Sequence, residues 1–120
     1  STPYDTLFNG NCVINLSKIA NAKDKALIMS VILIALYEYR KSVFAHDAEY
    51  RKHAKQNELM HLTVIEEAHN VLARPSAAAE NSGNPQQVVA DLFANMLAEI
   101  RSMGEGLMIM NLKRKNYSHF

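Results

Sequence analysis

A single cysteine, Cys12, is all the thiol chemistry available to this chain of 120 residues. That excludes an internal disulfide framework and a cysteine-built zinc site, and it suits a reducing compartment, so the expected location is cytoplasmic. Charge of one sign is lacking as well. The formal net charge of +1 is too small for the long-range field with which a dedicated nucleic-acid module draws in phosphates. No apolar run approaches the ~20 residues that span a bilayer. The most apolar one, Ala26 to Tyr37, is broken by Ser30 and preceded by Lys23, Asp24 and Lys25, and it reads as a buried helix. The N-terminal stretch, with Asp5, Asn9 and Asn11, lacks the basic flank and apolar core of a secretion signal. Also missing is any G-x-x-x-x-G-K-[ST], the loop whose backbone and lysine cradle nucleotide phosphates.

What is present suffices for one modest core, because hydrophobic residues make up 48% of the chain and charged residues 21%. One domain over residues 1–120 is the expectation. Three short apolar runs, Cys12 to Leu16, Leu62 to Ile65 and Leu107 to Met110, lack strict polar alternation and read as strands buried on both faces. Helical segments lie between them. The order strand, helix, strand, helix, strand implies right-handed crossovers and a parallel sheet flanked by helices, an α/β architecture.

The first helix is expected to start near Asp24 as N-cap and to run through about Phe44. Its first turns are apolar on nearly every side, as in a helix enclosed by a sheet and neighbours. From Tyr37 to Glu58 the composition turns charged, with Arg40 among the charges and neither proline nor glycine, so the helix is expected to continue as a solvated arm. The second helix has Asn84 to cap it, Pro85 at its first position and Gln87 placed for a capping box. Its predicted core stripe is Val89, Leu92, Phe93, Met96, Leu97, Ile100 and Met103, and Gly104 supplies the left-handed stop. Residues 74–84, rich in Ala, Ser and Asn, read as an exposed loop, and residues 111–120 as a frayed basic tail.

The candidate chemistry is concentrated in Leu62-Thr63-Val64-Ile65-Glu66-Glu67-Ala68-His69, an apolar strand that ends on two adjacent carboxylates. Ligands of parallel sheets bind at the carboxyl ends of strands. An acidic residue there can hold Mg²⁺ through its water shell while its neighbour orients an attacking water. Side chains alternate along a strand, so both acids reach one site only if a turn begins at Glu67.

In the segments HLTVIEEAHNVL and VVADLFANMLAEIRSMGEGLMI, and in the upstream CVINLSKI, the chain resembles the HerA/FtsK superfamily of hexameric P-loop ATPases, over roughly Asn11 to Ile109. The resemblance implies the Walker B half of a RecA-like core. It assigns Glu66 to Mg²⁺ and ATP as the Walker B carboxylate, Glu67 to catalysis as the base, and Arg101 to a neighbouring subunit's nucleotide as an arginine finger. His69 could sense the nucleotide by bonding near the phosphates; on the residues alone, a lone histidine at a strand-to-helix turn is more often structural, and a cation in the last turn of a helix, as Arg101 is, ordinarily complements the dipole. The implied parent is an ATP-driven DNA translocase or helicase, acting as a homo-oligomer on DNA with a partner nuclease or effector.

Two departures accompany the match. Without a phosphate loop, ATP and Mg²⁺ are not expected to bind tightly to this chain alone, so the alternative is an inactive half-domain that works only through subunit contacts. Where relatives continue with a polar residue, often glutamine, after the last strand, this chain has Asn111-Leu112 and then Lys113-Arg114-Lys115. Three further readings compete. Glu58 with His61 and Glu66 with His69 form E-x-x-H pairs of the kind used in di-iron helix bundles. Glu-Ala-His also occurs in DEAH-type helicases. The basic tail beside Tyr117 could contact nucleic acid by phosphate attraction and stacking.

Overall fold

The computed structural model describes residues 2–66 and 85–110, with residues 85–90 described through their backbone only. Among the described residues, four helices and two strands follow in the order α1 (Pro3–Asn9), α2 (Ala22–His46), α3 (Ala48–Lys55), β1 (His61–Glu66), α4 (Pro85–Ser102) and β2 (Glu105–Met110). The two strands pair in parallel, with His61 opposite Glu105, Val64 opposite Met108 and Glu66 opposite Met110. A parallel pair needs a long crossover, and α4 lies within it.

Both strands fall where the apolar runs of the sequence placed them, but neither is buried on both faces as expected: Leu62, Val64 and Met108 are exposed on the face the helices leave open. The expected strand at Cys12 to Leu16 does not form. That segment is irregular, with Val13 92% and Ile14 44% exposed. Its polar residues offer the backbone another partner: the Asn15 side chain accepts from the Ser17 N–H at 2.9 Å, and the Ile19 N–H donates to Leu16 at 3.0 Å. A local turn thereby competes with strand pairing.

The helix starts follow capping chemistry. Helix α1 opens on a capping box between Thr2 and Asp5 with proline in its first turn. Helix α2 is capped by Asn21, which accepts from Lys23 N–H, so the predicted cap Asp24 instead sits in the first turn, where its charge favours the helix dipole. The expected solvated arm is divided at Asp47. That residue closes α2, donating its N–H to Val43, and opens α3, its side chain accepting from Tyr50 N–H. At the end of α4, Gly104 has φ of +85°, the left-handed stop that its type predicted.

The helices cover one face of the sheet. Phe8, Leu36 and Ile100 form one buried cluster and Leu33 with Ile65 a second, and the half-buried Leu107 touches both. From α4, Phe93 and Met96 join the second cluster. Leu92, expected in the core stripe, is turned outward at 63% exposure: it lies at the edge of the stripe, about 40° around the helix from Met96, about 80° from Ile100 and about 100° from Phe93, all on one side of it. Arg40 is a further correction. Read as part of a solvated arm, it is fully buried, because it extends the inward Leu33, Leu36 row by one helical turn.

Candidate functional site

Alternation along β1 decides which way each side chain faces. His61, Thr63 and Ile65 turn toward the helices, while Leu62, Val64 and Glu66 are exposed on the other face. Glu66 therefore ends its strand as a solvent-accessible carboxylate at the carboxyl edge of a parallel pair. The sequence placed it there, and the strand pairing reproduces that position. Glu67 and His69 lie outside the described residues, as do Asn84, the loop at 74–84 and the tail at 111–120.

Arg101 is in the last turn of α4, exposed, beside a cleft of about 370 Å³ that also involves Leu59, Leu62, Gly106 and Met108. This cleft is at the amino edge. Five residue steps separate the His61 level from the Glu66 level, roughly 16 Å of extended chain. Glu66 and Arg101 thus stand at opposite ends of the sheet. A single phosphoryl group, a few ångströms across, cannot touch both within one copy.

Of the candidate ligands, only Glu66 is a described carboxylate at the carboxyl edge. Among the described residues, no group of three or more His, Cys, Asp or Glu side chains converges as a metal cage would require. The E-x-x-H reading of Glu58 and His61 fails on geometry. Glu58 accepts from His53 at 2.8 Å, whereas His61 Nδ1 reaches both Glu105 oxygens at 2.8 and 2.9 Å. Glu66 ends a strand, not a helix turn.

The sequence reading missed a buried charge cluster under the amino edge. Arg40 Nε donates to Glu105 at 3.2 Å with both side chains fully buried, and Arg40 also donates to the Phe8 carbonyl. Its guanidinium lies 5.2 Å from the Tyr39 ring centroid and 5.7 Å from that of Tyr50. Such stacking suits a weakly hydrated planar cation. Arg40 Nη1 has no partner among the described residues. The cluster ties together α1, α2, β1 and β2, while the Tyr50 hydroxyl adds α3 by donating to Met103 carbonyl at 2.7 Å.

Several groups titrate away from their ordinary values. Burial, followed by the hydrogen bond to Asp5, pushes the Tyr39 phenol up to about 12. Asp5 is lowered in return, chiefly by that same bond. Tyr50 is raised mainly by burial, with Arg40 opposing the shift. His53 is raised by its bonds to Glu58 and then Glu49. None of these groups is at the carboxyl edge, so they describe the scaffold and not a reaction centre.

In comparisons with known proteins, no family model, curated protein or solved structure matches this chain. Fold and site define a class at a coarse level: a mixed α/β chain whose parallel strand pair presents a carboxylate at one edge and an arginine at the other. No helix among the described residues is long and apolar enough to cross a membrane.

Proposed function

We propose that the chain is the Walker B and arginine-finger half of an ATP-driven DNA translocase or helicase of the HerA type. In this reading it is part of a RecA-like P-loop core. The observation that carries the reading is the parallel pairing of β1 with β2, which leaves Glu66 exposed at the carboxyl edge, where such sheets bind ligands. Glu66 would hold Mg²⁺ through water and Glu67 would orient the attacking water. His69 would report on the bound nucleotide. The separation of Glu66 from Arg101 along the sheet fits an arginine acting on a neighbouring copy's nucleotide in an oligomer, with DNA engaged by the whole assembly and a partner nuclease or effector alongside.

A second reading, an inactive half-domain acting only through subunit contacts, is favoured by a specific observation. One side of α2 leaves Leu27 65%, Val31 57% and Ile34 47% exposed, on a helix whose other side is core. A helix apolar all round is ordinarily enclosed. The two readings separate by measurement. Equilibrium dialysis of this chain with Mg·ATP is expected to give no tight binding; tight binding would count against the half-domain reading. In a longer chain that supplies a phosphate loop, Glu67→Gln should abolish Mg²⁺-dependent, DNA-stimulated hydrolysis. Unchanged turnover in that variant would remove Glu67 as the base, and with it the ATPase reading of this edge.

A further inference from the structure

Among the described residues, no helix covers the apolar surface on the other face of the sheet, which has a charge at each end. Its cross-strand pairs are Leu62 with Gly106, Val64 with Met108, and Glu66 with Met110. Leu62, Val64, Met108 and Met110 are 44%, 48%, 49% and 37% exposed. At the amino end, Leu59 crosses over β2, which Gly106 permits: a Cβ there would meet Leu59 Cδ1 at 2.6 Å. Arg101 borders this end of the stripe in the cleft already described. Glu66 stands at the other end.

The ion pairs among the described residues join Arg40 and His61 to Glu105, and His53 to Glu49 and Glu58. Arg101 and Glu66 enter none of them. The two carboxylates nearest Arg101 in the cleft are already engaged, Glu58 with His53 and Glu105 with Arg40 and His61. Among the described residues, the amino end of the face therefore offers a cation outside any ion pair beside apolar side chains, and the carboxyl end an anion outside any ion pair beside apolar side chains. A surface with this polarity is complementary to itself.

We propose that this face docks a second copy of the same chain. The two sheets pack face to face with strands running in opposite directions about a two-fold axis, so that Arg101 of each copy meets Glu66 of the other and the Leu62, Val64, Met108, Met110 stripes interdigitate between them. Packed sheets lie ~10 Å apart, within reach of an arginine and a glutamate extended toward each other. An isologous contact of this kind closes at two copies. Each copy covers an area on the order of 400 Å², about half of the roughly 800 Å² a side of a standard stable interface, so the dimer is a weak one. The arrangement requires neither nucleotide nor a further domain, but it engages the same Glu66 and Arg101 side chains that the ATPase reading assigns to metal and nucleotide, so it describes the nucleotide-free chain.

Sedimentation equilibrium on the whole chain, without nucleotide, from about 10 to about 500 µM tests the proposal. The expected result is a monomer–dimer equilibrium that weakens as salt rises, because the end charges are screened. Arg101→Glu and Glu66→Arg should each weaken association roughly tenfold or more, and the double variant should restore it. Val64→Lys, at an exposed position that cannot disturb the core, should also abolish it, with an unchanged far-UV circular dichroism spectrum as the check on folding. A monomer at every concentration, growth beyond two copies, an unaffected Arg101→Glu or Val64→Lys, or a double variant no better than the singles would each overturn the two-fold face. A failure here leaves the dialysis and turnover results untouched, so the two ideas fall separately.

Discussion

Replacing Arg40 with alanine removes the cation from a pair in which both side chains are completely buried and the Arg40 Nε to Glu105 Oε1 distance is 3.2 Å. Glu105 then keeps a charge in a site that is 1% exposed. Breaking a buried pair from one side costs about 3–5 kcal/mol, since the surviving charge has lost its compensation. His61 remains 2.8 Å from Glu105 and still hydrogen-bonds the carboxylate, which places the expected loss toward the lower end, about 3 kcal/mol. Domains are typically stable by about 5–15 kcal/mol, so the variant should be folded but fragile. Urea unfolding followed by circular dichroism is the assay. With a slope of about 1.5 kcal/mol per molar, the midpoint should fall by roughly 2 M. Arg40→Met with Glu105→Leu removes both charges, and should recover most of that loss even though the Phe8 carbonyl gives up its donor, worth about 1 kcal/mol. A shift under about 0.5 M for the single variant, or a double variant as weak as the single, would refute the account of Arg40 as a charge whose burial depends on its partner.

Gly104→Ala forces a side chain into φ of +85° and sets its Cβ 2.7 Å from Met60 Cγ, so calorimetry should record a loss of about 2–3 kcal/mol. His53 is raised above its ordinary 6.5 by Glu58 and Glu49. Its contribution to stability is therefore complete below pH 6.5 and lost as pH rises through the folded value. Nuclear magnetic resonance titration of the ring should give a midpoint above 6.5, and Glu58→Gln should bring it down. Tyr37 and Tyr39 are both raised to about 12, so absorbance titration of tyrosinate in the folded chain should leave these two protonated after an unperturbed phenol has ionised near 10. Ionisation near 10 would show for Tyr37 that its hydroxyl does not donate to Glu99, and for Tyr39 that the phenol is neither buried nor bonded to Asp5.

Much of the βαβ unit was legible because its signals are local. Leu62 to Ile65 and Leu107 to Met110 are apolar runs too short for helices, and Pro85 and Gly104 mark helix ends by backbone preference alone. The Cys12 to Leu16 run carries the same apolar signal, yet an apolar run says nothing about whether a neighbouring edge is available, and Asn15 ties the chain into a turn first. Helix α1 had a readable capping box at Thr2 and Asp5, but its seven residues lack a long apolar period. Arg40 was misread because local composition outweighed its place on the Leu33, Leu36 row. Its partner Glu105 is 65 residues away, a pairing that no window of sequence contains. For the candidate site, position was legible and convergence was not. The strand order puts Glu66 at one end of the sheet and Arg101 at the other, a consequence of parallel pairing that emerges only when the register is known.

The corner between α2 and α3 rests on Asp47, with neither proline nor glycine to enforce it. One residue closes the first helix with its backbone and opens the second with its carboxylate. Loss of that carboxylate would remove about 1 kcal/mol of capping and move the balance toward a single rod across both helices, about 50 Å long at 1.5 Å per residue, against the bonds from Arg51 to the Phe44 and Ala45 carbonyls that also hold the corner. Straightening would swing Tyr50 away from the Met103 carbonyl and uncover Arg40 on one side. The tertiary shape of this half of the chain is thus decided by a competition between helix propagation on one side and, on the other, a cap together with the Arg51 and Tyr50 bonds across the bend.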